Sequence, residues 1–176
     1  SKNEGAVKGI AFMEAAVKAL QNWDSFDDEG RALFEGFRSP AGEQMVLENN
    51  IFVEGFVPAA VIRDLSEDEM NEYRRPFLNA GEDRRPTLTF PRQIPIAGDP
   101  PEVAAVVDAY SEWLGKTDIP KLFVNAEPGI ILTGELRDFA RSLSNVSEVT
   151  VPGLHFIQED SPDEIGTAIR DWFDTL

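Results

Sequence analysis

The sequence contains no cysteine. Disulfides, thiolate metal sites and a cysteine nucleophile are therefore excluded. It has one histidine, His155. The histidine–carboxylate clustering that transition metals favour is missing, so no metal is expected, and no cofactor. Basic residues are scarce: 16 Lys and Arg stand against 32 Asp and Glu, a net charge of −16. Charge of that sign argues against nucleic acid and anionic membranes as partners. Long apolar runs are also lacking, and no signal peptide is visible, so the expectation is a soluble, cytoplasmic chain that does not enter a membrane.

What is present is a globular composition, 42% hydrophobic and 10% aromatic over 176 residues, which suits one domain with a core. Much of the acidity reads as solvated surface. Asp27-Asp28-Glu29 and Glu67-Asp68-Glu69 resemble acidic first turns of helices, where the helix dipole favours them.

The apolar run Ala6–Met13 reads as a strand buried on both faces, as in a parallel sheet. From about residue 15 to about residue 90 no alternating pattern occurs. Leu33, Phe34 and Phe37 recur at helical spacing, Ser39-Pro40 opens a further helix, Ser66–Glu69 forms a capping box, and Pro76 ends the helix that follows. This block reads as a helical lid. Asp99–Glu102 is another capping box, before a helix whose apolar face is Val103, Val106, Val107, Tyr110, Trp113 and Leu114. Pro120–Ala126 reads as a second buried strand and Val149–Val151 as a third, with Pro152-Gly153 turning the chain. Thr133 starts the helix between these strands. Ser161-Pro-Asp-Glu164 reads as a capping box for the last helix, with Ile165, Ile169, Trp172, Phe173 and Leu176 on one side. Alternation of this kind predicts an α/β fold with a parallel sheet and right-handed crossovers.

Two chemically active side chains fall at strand ends, where open α/β sheets gather catalytic groups. Glu14 follows the first strand. His155 follows the third, on a loop, and histidine is the side chain best suited to proton transfer near neutral pH. Glu127, after the second strand, is a rival acid. In α/β-hydrolases the order is nucleophile, acid, histidine. The last two members are in order here, but no Gly-x-nucleophile-x-Gly elbow with Ser or Asp at its centre occurs. The place where it belongs, a strand and a helix upstream of Ala6, is expected to lie before residue 1.

Several stretches together resemble the haloalkane dehalogenases, an α/β-hydrolase family. They are Gly9-Ile-Ala-Phe-Met-Glu14, Met45-Val-Leu-Glu-Asn-Asn50 with Phe52-Val-Glu54, Arg85-Pro-Thr-Leu88, Pro91-Arg-Gln-Ile-Pro-Ile96, Asn125-Ala-Glu-Pro-Gly129 and His155-Phe-Ile-Gln-Glu-Asp160. The resemblance runs over essentially the whole chain and is to the C-terminal portion of the family.

The resemblance implies residues 1–14 as a core strand, 15–90 as a helical cap and 91–176 as the rest of the core. It implies hydrolysis of small halogenated alkanes to alcohol and halide through an alkyl-enzyme ester on an aspartate. It assigns His155 to the activation of water and Glu14 to its support. Glu127 ranks second, because another subfamily carries its acid nearer Asn125, here an amide. Pocket-facing positions of the family correspond to Phe34, Ala60, Phe90, Pro91, Ile94, Ile131 and Phe156. The aspartate and the halide donors would precede residue 1, so the expected partner is an N-terminal half of the same fold. Without it, the first strand would be an exposed apolar edge and an aggregation hazard. Two other readings stay open: an oxygenase of the coelenterazine-luciferase type, which resembles the same family, and a non-catalytic complementation fragment.

Overall fold

The computed structural model describes residues 3–176, apart from the side chain of Ser25. Ser1 and Lys2, at the start of the expected core segment, lie outside the described residues. The described elements, in chain order, are strand β1 (Ile10–Phe12), helices α1 (Asp28–Arg38), α2 (Val57–Ala59), α3 (Glu67–Arg74), α4 (Arg85–Arg92) and α5 (Pro101–Lys116), strand β2 (Lys121–Pro128), helix α6 (Gly134–Ser142), strand β3 (Val146–Gly153), and helices α7 (Ile157–Asp160) and α8 (Pro162–Phe173). Two π-helical turns, Gln44–Glu48 and Phe52–Phe56, and several 3-10 turns complete them. No helix among the described residues is long and apolar enough to cross a membrane.

The chain divides into two compact units. The first holds the sheet and comprises the chain up to Ala19, Val61–Arg63 and Ala105–Leu176. All three strands are parallel, in the order β1-β2-β3. This is the architecture expected of the C-terminal part of an α/β-hydrolase. β2 is central, and its alternate residues are buried on opposite faces. Leu122, Val124 and Ala126 pack with Val151, Ile157 and Ile165. Phe123 packs with Val17, Leu132 and Ala140 on the other side, its ring stacked on Phe12 at 5.2 Å between centroids. Full burial of such side chains contributes about 1.5–3 kcal/mol each, which makes β2 the anchor of the unit.

The strand expected over Ala6–Met13 is paired only at Ile10–Phe12, and Glu4–Ala6 is a 3-10 turn. β1 is half-exposed rather than buried on both faces. It is an edge: among the described residues only β2 pairs with it. β3 is longer than expected and runs through Pro152 and Gly153, which pair with Glu127 and Pro128 instead of turning. An edge strand can carry a proline because one row of its N–H groups faces away from the ladder.

Ser161 stands at the N-cap position of α8, but its hydroxyl donates to the Pro152 carbonyl at 2.7 Å and makes no side-chain cap bond to the helix. On α5 the buried line is Ala104, Val107 and Ser111, and Val106 is 62% exposed. On α8, Ile165 is buried with Ile169 and Trp172 packed nearby, whereas Phe173 and Leu176 face out.

The second unit, Leu20–Ala60 and Asp64–Ala104, is helical. Phe37, Val46, Leu47 and Leu88 form its core. The capping box at Ser66 and Glu69 is formed in both directions. Ser39 closes α1 as its C-cap, while its hydroxyl accepts from the Ala41 N–H at 3.1 Å as the chain turns into the next helical stretch. Asp99 does not cap α5, which begins two residues later; its carboxylate is paired with Arg38. The π-turns leave carbonyls out of the regular ladder. Arg84 collects two of them, donating to the carbonyls of Leu47 at 3.0 Å and Glu48 at 2.7 Å.

Candidate active site

Glu14 stands two residues beyond β1, at a left-handed backbone position with φ 38°. Its side chain is 2% exposed. A carboxylate in such a place must find donors or lose its charge. It finds them in the loop after β2. Oε2 accepts the N–H groups of Ile130 at 3.0 Å and Ile131 at 2.7 Å, and Oε1 accepts that of Leu132 at 3.1 Å. Three consecutive amides turned inward make an anion nest. Burial pushes the Glu14 carboxyl up, but His155 and the three amides outweigh it and hold the group below its ordinary range.

His155 follows β3. Its Nδ1 lies 3.5 Å from Glu14 Oε2, and its ring is 23% exposed and edge-on to Phe156. The distance is at the outer limit of a hydrogen bond, as catalytic pairs often are before substrate arrives. With Nδ1 turned to the carboxylate, Nε2 is the nitrogen left to handle a proton.

The segment after His155 is pinned from several sides. Ser161 reaches back to Pro152. Asp160 accepts the backbone N–H groups of Ile62 and Arg63 at 3.0 and 3.1 Å. The Arg63 guanidinium in turn donates to the Glu159 carbonyl at 2.6 Å and carboxylate at 2.9 Å. Gly153 lets the chain double back, since a Cβ there would lie 2.6 Å from Ile157.

Glu127 is placed differently. Its carboxylate is 61% exposed and pairs with Arg137 at 3.1 Å. Asn125 is buried, its Nδ2 donating to Thr150 Oγ1 on the neighbouring strand at 3.1 Å.

Of the residues singled out in the sequence, Glu14, His155, Ile131 and Phe156 come together. Ile131 contributes an amide to Glu14, and Phe156 flanks the imidazole. Phe34, Ala60, Phe90, Pro91 and Ile94 belong to the helical unit. There Phe34 is buried against Phe26, Phe37 and Phe56, with ring centroids 5.2–5.8 Å away. Ala60 and Pro91 are buried, Ile94 is half-buried and Phe90 is 64% exposed. The sequence reading missed the amides of Ile130–Leu132, the grip of Arg137 on that loop and the Asp160 clasp. The one local signal was Pro128-Gly129 at the end of a buried strand.

No family model matches the chain. A haloalkane dehalogenase of Mycolicibacterium smegmatis is 56% identical over 171 residues, covering 96% of this chain and 54% of that protein. One of Sphingobium indicum is 58% identical over 163 residues, covering 93% of this chain and 55% of its own length. A coelenterazine h 2-monooxygenase of Renilla reniformis is 38% identical over 179 residues, covering 99% and 56%. The chain thus spans about half the length of the curated relatives it matches. Among solved structures, an ancestral haloalkane dehalogenase superposes with a TM-score of 0.93 at 39% identity, covering 99% of this chain and 62% of that one. A haloalkane dehalogenase of Bradyrhizobium elkani gives 0.91 at 38%, covering 96% and 59%. By sequence and by fold, the chain is related to the haloalkane dehalogenases, whose C-terminal portion it matches, within the α/β-hydrolase architecture.

Proposed function

We propose that these residues supply the water-activating half of a haloalkane dehalogenase. The single observation that carries the reading is the buried Glu14 carboxylate, held by three amides and set 3.5 Å from His155 Nδ1. The 56–58% identity to named dehalogenases supports the substrate class, a small halogenated alkane with halide as product.

In the first step an aspartate carboxylate, from chain outside these residues, attacks the halogen-bearing carbon. A C–O bond forms as the carbon–halogen bond breaks, and halide leaves with the electron pair. The aspartate is already ionised, so no base is needed. In the second step His155 Nε2 takes a proton from water, whose oxygen attacks the ester carbonyl. Glu14 holds the imidazole in the useful tautomer and steadies its positive charge. Collapse of the tetrahedral intermediate expels the alkoxide, which takes the proton from His155. The restored carboxyl then ionises, so a turnover yields one alcohol, one halide and one proton.

In the sheet unit, Ile131 and Phe156 are assigned to the alkyl chain; in the helical unit, Phe34, Ala60, Phe90, Pro91 and Ile94 carry the same assignment from the family resemblance alone. Apolar surroundings suit it and keep water from the first step. Residues 15 to about 90 are the cap in this reading, and the open edge of β1 is where the nucleophile-bearing part of the sheet would pair.

The test uses the complete, halide-releasing enzyme. In His155→Phe the ester should form and persist, visible by mass spectrometry as the mass of the alkyl group added to the aspartate. Normal steady-state turnover by this variant would defeat the assignment. The monooxygenase relative sets the competing assay, light emission with coelenterazine against halide release from 1-bromobutane. Its lower identity, 38%, favours halide.

A further inference from the structure

Arg137 lies in the first turn of α6, with its side chain 16% exposed. Its donors converge on one loop. Nε donates to the Leu132 carbonyl at 2.9 Å, and Nη2 donates to the carbonyls of Ala126 at 2.9 Å and Pro128 at 2.8 Å. Nη1 donates to Glu127 Oε2 at 3.1 Å. The first three acceptors bracket the segment that presents the N–H groups of Ile130, Ile131 and Leu132 to Glu14. Arg137 makes no ion pair with Glu14 itself. Both nonetheless approach the same residue: a Cβ on Gly129 would lie 3.1 Å from Glu14 Oε1 and 3.3 Å from Arg137 Nη2. The guanidinium thus grips the carbonyls of the loop while the carboxylate takes its amides.

A planar fork with five donors can hold carbonyls at both ends of a turn at once. A lysine has the charge without the fork. Without that grip, the turn keeps its two ends, the pairing of Glu127 and Pro128 with β3 and the burial of Leu132, but between them only the Gly129–Gly153 bond and the Thr133–Ile131 bond, both 3.0 Å, and Glu14 itself. The carboxylate would then be shaping its own nest.

We propose that Arg137 is a positioning residue for ester hydrolysis, fixing the Ala126–Leu132 loop so that its amides hold Glu14 against His155. This rests on the acid–histidine reading above. The predicted effect is selective. Ester formation does not use Glu14 or His155 and is left near its normal rate. Hydrolysis depends on their geometry, and a displacement of about 1 Å costs about 10²-fold.

The experiment is single-turnover kinetics on the complete enzyme with 1-bromobutane, following ester formation and decay separately by quenched-flow mass spectrometry. Arg137→Met should slow decay by about 10²-fold and leave formation nearly unchanged. Equal slowing of both steps, or decay at the normal rate, would overturn the proposal. If Arg137→Met does not fold, Arg137→Lys, which keeps the charge, carries the same comparison with the same two overturning results. Glu14→Gln is run alongside. Normal decay in Glu14→Gln removes the acid–histidine pair and the proposal with it. Slow decay there with normal decay in the Arg137 variants removes Arg137 alone.

Discussion

Gly129 and Glu14 are in each other's way but for a missing methyl: a Cβ on Gly129 would lie 3.1 Å from Glu14 Oε1. It would also lie 3.0 Å from the Ala126 carbonyl, on a residue whose φ is +75°. Gly129→Ala therefore meets strain and crowding together. The backbone term alone costs about 1–3 kcal/mol. The expected outcome is a lower unfolding midpoint, with ester hydrolysis impaired more than ester formation. An unchanged midpoint would show that the loop relaxes freely.

Glu14→Gln keeps the shape of the side chain and removes its charge. Hydrolysis should fall by up to about 10⁴-fold, the effect of the equivalent change in a serine-protease triad. Glu127→Gln loses one exposed ion pair, worth at most about 1 kcal/mol, and should hydrolyse nearly normally. Single-turnover rates for the two variants decide between the carboxylates, and the reverse order would make Glu127 the acid.

The lowered Glu14 carboxyl also marks stability against pH. A group whose folded value is depressed stabilises the fold above its unfolded value and loses that contribution as pH falls through the folded one. For Glu14 the contribution is present above about pH 4.5, its ordinary value, and disappears progressively below it. Unfolding midpoints measured from pH 7 to pH 3 should converge for the wild type and Glu14→Gln at the acid end. A constant gap would mean that Glu14 is not ionised in the fold.

Lys121 is fully buried at the start of β2. Its ammonium donates to the carbonyls of Thr117 at 2.7 Å, Ile119 at 3.0 Å and Ser144 at 3.0 Å. Lys121→Met fills the space but orphans the Ile119 and Ser144 carbonyls, while Thr117 keeps the Ser144 hydroxyl at 3.1 Å, and stability should fall by about 1–3 kcal/mol. Lys121 starts β2 while the Glu14 nest lies beyond its other end, so the ratio of the two chemical steps should be unchanged. Denaturant unfolding and single-turnover rates check the two halves of this expectation.

The succession of strands and helices along the chain, the strand-end position of Glu14 and the loop position of His155 were legible because they rest on runs of apolar residues and the breakers between them. The capping box at Ser66 was legible because its two partners are three residues apart and exposed. The same pattern misled at Ser161 and Asp99. There the capping side chain was claimed by a distant group, the Pro152 carbonyl in one case and Arg38 in the other. Local spacing carries no information about such competitors. The nest around Glu14 was illegible for a different reason: its donors are backbone amides, and Ile130, Ile131 and Leu132 offer the pattern of an apolar run whether or not their N–H groups turn inward. Short helix α7 was missed because Ile157–Asp160 is a single turn, too brief for a period.

The bonds that hold Glu14 span 116 to 118 residues of chain, and those to Asp160 span 97 to 98. Closing loops of that length is entropically expensive, and contacts so remote in sequence slow folding. During synthesis Glu14 emerges long before Ile130, and Ile62 long before Asp160. Until then a carboxylate destined for burial stays in water, ionised and solvated. The expected outcome is that the amides of Ile130–Leu132 gain protection from hydrogen exchange late when the whole protein refolds, together with the equally remote pairing of β1 with β2.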